Sequence, residues 1–179
     1  PHEPFYFDVT PALPDSLNIV ETDLRVRDPD TVWSPSNPEE FADWFCGIAA
    51  KRFAFQAADH VRLAEAKTEI APLPSDPIGI HDVLRRGVQL MKLHRDNYYW
   101  EKIDRKEAMP ISVILVTLAG HAYDHLVTKE RASFDTPIEA LLELVDRMPM
   151  WIHHDGQEYR VLNPKLPSEN FADRWNRDD

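Results

Sequence analysis

The chain has 179 residues, a formal net charge of −11, 43% hydrophobic and 28% charged residues, and a single cysteine, Cys46. This length suits one domain with a real core, in which roughly 70% of the unfolded surface can be buried. The lone thiol excludes an internal disulfide and a cysteine-rich zinc site. The acidic balance repels polyanions and argues against duplex nucleic acid as the main partner. No stretch near the N-terminus reads as a signal peptide and no apolar run suggests a membrane span, so the expectation is a cytoplasmic protein with no membrane contact.

In chain order, Phe5, Tyr6, Phe7, Asp8 and Val9 read as a short buried strand closed by Thr10 and Pro11. A second extended stretch covers residues 18–26, and residues 27–38, rich in Pro, Asp and Ser, read as loop with Trp33 as an anchor. Helical spacing begins at Pro38, with Asn37 as cap and Glu39 and Glu40 at the positive end of the dipole. Phe41, Trp44, Phe45, Ile48, Ala49 and Phe53 then mark one face, and the pattern predicts a helix to about residue 67.

Three prolines in residues 71–77 break the chain. A second helix is expected over 79–100, with Val83, Leu84, Val88, Leu90, Met91 and Leu93 inward and Arg85, Arg86, Lys92 and Arg95 on other faces. A third starts at Pro110, is apolar on nearly every side and should be central. A fourth runs from Thr136 and Pro137 to about residue 150, carrying Ile138, Leu141, Leu142, Leu144 and Val145. Asp155-Gly156 signals a hairpin between 150–153 and 158–162, and the tail 163–175 closes with a short helix. The surplus of 15 Pro over 5 Gly agrees with helices joined by stiff connections.

Asp8 sits between Phe7 and Val9 and faces the opposite side of its strand. It is either an exposed strand carboxylate, the commoner case, or a hard oxygen ligand for Mg²⁺ on a rigid element. Lys92 on the second helix and Ser112 near the start of the third would make a phosphate pocket. The plainer alternative is a snorkelling lysine and a serine bonded within its own helix. His121 and His125 are four apart, but Ala122 stands where a zinc protease needs Glu, and no third ligand is visible. Cys46, among Trp44, Phe45 and Ile48, reads as a packed thiol rather than a nucleophile.

Phe7-Asp-Val-Thr-Pro-Ala12, Met109-Pro-Ile-Ser-Val-Ile-Leu-Val-Thr-Leu-Ala-Gly-His-Ala-Tyr123 and Asn163-Pro-Lys-Leu-Pro-Ser-Glu-Asn-Phe-Ala-Asp-Arg-Trp175 together resemble the cyclic-oligonucleotide-forming nucleotidyltransferases of bacterial anti-phage (CBASS) systems, relatives of cyclic GMP-AMP synthase. With Val88-Gln-Leu-Met-Lys-Leu-His-Arg-Asp96 the similarity covers nearly the whole chain. The resemblance implies an α+β fold: residues 1–36 as the remnant of a polymerase-β-like nucleotidyltransferase sheet, and 37–179 as a helix-rich C-terminal lobe.

It further implies that Asp8 is the third of three carboxylates holding Mg²⁺ or Mn²⁺. Lys92 and Ser112 match the lysine and serine that touch the triphosphate of ATP, GTP or another NTP. The implied reaction is attack of a ribose hydroxyl on an α-phosphate, yielding cyclic di- or oligonucleotide messengers, with CBASS accessory proteins as further partners. The Gly-Ser and Asp-x-Asp elements of the family would lie before residue 1, so the segment alone is expected to be inactive. The competing expectations are a non-catalytic helical nucleotide-binding or scaffold module and an RNA-tailing transferase, the latter disfavoured by the acidic charge.

Overall fold

A computed structural model describes residues 10–15, 21–28, 32–55 and 82–177. Among the described residues the architecture is α+β: a small antiparallel sheet, then four helices around a common core. The strand expected at 5–9, with Asp8, the proline break at 71–77 and the start of the second expected helix lie outside the described residues.

Strands β1 (Ala12–Pro14), β2 (Leu24–Asp28) and β3 (Val32–Ser36) pair antiparallel in the order β1-β2-β3, with Ala12 opposite Val26 and Val26 opposite Ser34. The second extended stretch is thus displaced toward the C-terminus, and the loop expected at 27–38 holds β3. Pro35 disguised that strand. Proline is tolerated there because, among the described residues, β3 pairs on one side only and its free side asks for no amide donor.

Helix α1 (Pro38–Ala49) starts as its residues dictate: Asn37 Oδ1 accepts from the Glu40 amide at 3.0 Å and Pro38 occupies the first turn. It ends far short of residue 67. Residues 51–53 are captured by other parts of the fold: the Tyr123 hydroxyl donates to the Lys51 carbonyl at 2.9 Å, Lys51 pairs with Asp124, and the Phe53 ring lies 4.6 Å from Tyr123 and 4.9 Å from Phe134. Strand β4 (Ala54–Phe55) then pairs parallel with β5 (Ser133–Phe134). Tertiary contacts override a local helical pattern here, as propensity is the weaker force.

Helix α2 (Val83–Trp100) is capped by Asp82, and a 3₁₀ turn (Ile103–Ala108) leads to α3 (Ser112–His125). As expected, α3 is central: it packs against α1, α2 and α4, and seven of its residues are buried. By length and composition alone Asp104–Glu130 is apolar enough to cross a bilayer, contrary to the sequence reading. In this fold the break at 109–111 divides that stretch, and α3 turns its apolar surface to protein.

At Gly120 of α3, an added Cβ would stand 2.6 Å from the Trp44 ring, so the glycine lets α1 approach. Helix α4 (Pro137–Arg147) is capped by Thr136 and continues as a 3₁₀ turn (Met148–Trp151). The hairpin β6 (His153–His154) and β7 (Tyr159–Arg160) follows, its loop held by Asp155 Oδ1, which accepts from the amides of Gln157 and Glu158 at 3.0 Å each. A 3₁₀ turn (Asp173–Asn176) ends the described chain. Leu90 and Leu93, expected inside, are exposed, as are Ile138, Leu142 and Val145 of α4; the Leu84, Val88, Ala140 and Leu144 side of α2 and α4 meets the core.

Candidate phosphate-binding groove

Helices α1, α2 and α3 enclose an open groove of about 360 Å³. Phe41, Phe45 and Cys46 of α1, Val88 and Lys92 of α2 and Val116 of α3 form much of its wall. The lining is mostly apolar, and Lys92 brings the positive charge along its length. Arg85 also borders it but is tied to Asp82 at 3.1 Å. Lys92 has no carboxylate partner among the described residues. An ammonium group beside apolar walls is less screened than one in open water, so an anion entering here meets a stronger attraction.

Cys46 is exposed at this groove, which corrects the expected packed thiol. The buried face of α1 is carried by Ile48 and Ala49, and at 100° per residue Cys46 points about 160° away from Ile48, at the edge of that face.

Ser112 is the first residue of α3, and Ile111 before it supplies no side-chain cap. Its hydroxyl oxygen accepts from Arg95 Nη1 at 3.1 Å. The same nitrogen donates to the Pro110 carbonyl at 3.1 Å, while Arg95 Nη2 and Nε reach Asp96 at 2.6 and 2.8 Å. Arg95 lies three residues after Lys92, on the same face of α2, and Ser112 lies four before Val116, on the same face of α3. Lys92 and Val116 line the groove, Arg95 and Ser112 each stand one helical turn from one of them, and the Arg95–Ser112 contact ties α2 to α3 through an arginine to which the sequence assigned no role. The three-residue spacing between Lys92 and Arg95 was its only signal.

Phe41 also borders a second hollow, of about 340 Å³, with Ser36, Ile111, Asn163, Glu169 and Phe171. Here the tail segment 163–175 finds its use. Glu169 accepts from Ser36 Oγ at 3.0 Å, the Asn37 amide at 3.3 Å and Asn163 Nδ2 at 2.7 Å. Asn37 Nδ2 in turn donates to Asp23 Oδ1 at 2.6 Å and Thr22 Oγ1 at 3.1 Å. Asn170 Oδ1 accepts from the amides of Val161 and Ala172. These side chains fasten the tail to the junction of sheet and α1, a structural role.

Among the described residues no three His, Cys, Asp or Glu side chains stand together as a metal site. His121 stacks on Trp151 at 4.9 Å and lies 5.1 Å from Trp44, while His125 meets Glu130 at 3.1 Å. Burial pushes the His121 imidazole below its usual pKa, against a smaller opposing pull from Asp124, and His153 adds to the lowering. His121 is thus held between two indole rings and His125 by a carboxylate. Asp8, the carboxylate expected to hold Mg²⁺ or Mn²⁺, lies outside the described residues.

No protein-family model matches the chain. Over 171 residues, 96% of its length, the chain is 25% identical to a protein of Roseivirga ehrenbergii named c-di-GMP synthase. The chain spans 41% of the length of that relative, to which it is therefore similar along almost the whole of its own sequence and less than half of the other's.

Proposed function

We propose that this chain is the part of a cyclic dinucleotide synthase that grips the phosphates of a nucleoside triphosphate, with Lys92 as the cation and Ser112 as a hydrogen-bond donor. The observation that carries the reading is Lys92 in the wall of the groove between α1, α2 and α3, with Ser112 one helical turn before Val116 of the same wall. Similarity to a protein named c-di-GMP synthase supports the same class of activity. The phosphate grip is electrostatic: a lysine facing a triphosphate offsets charge that grows on the leaving oxygens as the bond to the α-phosphate breaks. Asp8, divalent metal, CBASS accessory partners and an anti-phage role belong to this proposal through the family resemblance alone.

Cys46 provides the test. In the natural full-length protein, alkylation of Cys46 is followed by peptide mass while GTP or inorganic tripolyphosphate is titrated in, and radiolabelled GTP with Mg²⁺ is assayed for cyclic product. The expected result is slower alkylation in the presence of triphosphate, loss of that protection and of product in Lys92→Ala, and no product from residues 1–179 alone. Alkylation indifferent to triphosphate, together with a fully active Lys92→Ala protein, rules the reading out.

A further inference from the structure

We infer that Arg95 is a positioning residue that sets the Ser112 hydroxyl as a donor to a phosphate oxygen. The inference rests on the proposed triphosphate grip and names a member of it that neither the sequence reading nor the similarity to known proteins assigns.

A serine hydroxyl has one proton and two lone pairs, and it rotates to suit its surroundings. At the first turn of a helix such a hydroxyl is free to turn onto nearby backbone, and as an acceptor it would repel an anion. Arg95 removes that freedom. Its Nη1 donates into Ser112 Oγ at 3.1 Å, so one lone pair is occupied by a cationic donor and the serine's own proton points elsewhere. The polarisation runs from guanidinium through hydroxyl to ligand, and donors in such a chain strengthen one another.

The guanidinium is itself fixed at every edge. Asp96 takes Nε and Nη2, and the Pro110 carbonyl shares Nη1. Only 12% of the Arg95 side chain is exposed, so the fork is held by its surroundings rather than waving in solvent. The contact with Pro110 also pins the loop that starts α3, and thereby the register of Ser112 against the Lys92 turn of α2. Arginine suits this task and lysine does not, because a planar fork meets Asp96, Pro110 and Ser112 at once, whereas an ammonium is a single point.

The test is a double-mutant cycle on the natural full-length protein, with binding of inorganic tripolyphosphate measured by calorimetry and folding checked by thermal melting. Ser112→Ala and Arg95→Ala are each expected to weaken binding roughly tenfold, the size of one hydrogen bond to a charged group. The double variant is expected to be no weaker than either alone, because both remove the same donor. Arg95→Lys, which keeps the charge, is expected to recover little. Full recovery by Arg95→Lys, or a double variant weaker by the product of the two factors, shows that Arg95 acts as a charge in its own right and overturns the inference. Reduced melting temperature with unchanged affinity in Arg95→Ala makes the residue merely structural and overturns it too. Failure of the grip itself looks different: wild type and all variants then share the same absence of binding, and Lys92→Ala changes nothing.

Discussion

Glu169 carries the densest load of any acceptor at the joint between sheet and helices, and its removal is the most direct probe of how this chain holds together. Glu169→Ala deletes the acceptor of three hydrogen bonds, from Ser36 Oγ, the Asn37 amide and Asn163 Nδ2. Ser36 lies near the surface and finds water, but Asn37 is 0% and Asn163 1% exposed. Each bond to a charged acceptor contributes about 1.5–3 kcal/mol, and buried donors left unpaired cost about 1–3 kcal/mol. The three share one carboxylate and do not add fully, so a loss of about 3–4 kcal/mol is expected.

That is a large share of the ~5–15 kcal/mol that holds a typical domain. In thermal unfolding it lowers Tm by about 6–16 °C at this size, since each kcal/mol moves Tm by about 2–4 °C. Hydrogen exchange adds the spatial readout: amides of Asn163, Phe171 and Trp175, which bond within the tail, should open first. Glu169→Gln, keeping the shape and one acceptor oxygen, should lose about half as much. A Tm within about 1 °C of wild type for Glu169→Ala would refute the view that this carboxylate locks the tail.

Two of the helical glycines, Gly120 and Gly87, separate rigid from yielding neighbours. Gly120→Ala sets a methyl 2.6 Å from the Trp44 ring, which is also braced by Phe41 and His121; overpacking of about 1–3 kcal/mol exceeds the ~1 kcal/mol of helix propensity gained, so chemical denaturation should show net destabilisation. Gly87→Ala meets the Leu141 Cδ1 at 2.7 Å, a flexible side-chain end that can turn, and should be close to neutral in the same assay. For His121, burial disfavours the charged ring, so its folded pKa lies below the ordinary 6.5 and the unfolded chain binds the extra proton first. Its contribution is therefore fully present above pH 6.5 and is lost as pH falls from there toward the folded pKa. His121→Phe, which cannot titrate, should flatten that part of the stability profile measured by urea unfolding, and an unchanged pH slope refutes the assignment.

Local chemistry was enough to locate the helices. Asn37-Pro38 and Thr136-Pro137 mark two helix starts, and Asp155-Gly156 marks the hairpin, because caps and turns depend on a few adjacent residues. The apolar run from Ile111 announced a central helix, since a segment without a polar face has nowhere else to go. Lys92 and Ser112 were also legible as residues, whereas the Arg95–Ser112 contact was not.

What only the tertiary structure decided depends on residues distant in the chain. The early end of α1 follows from Tyr123, Asp124 and Phe134, which lie some seventy or more positions beyond the residues they capture. The exposure of Leu90 and Leu142 follows from which sides of α2 and α4 meet the core, which periodicity alone does not settle. The contact between α2 and the first residue of α3 exists because Arg95 reaches Ser112 across two helices. A hydrogen bond between elements is a property of their packing, and packing is set by the whole core at once rather than by any single stretch of sequence.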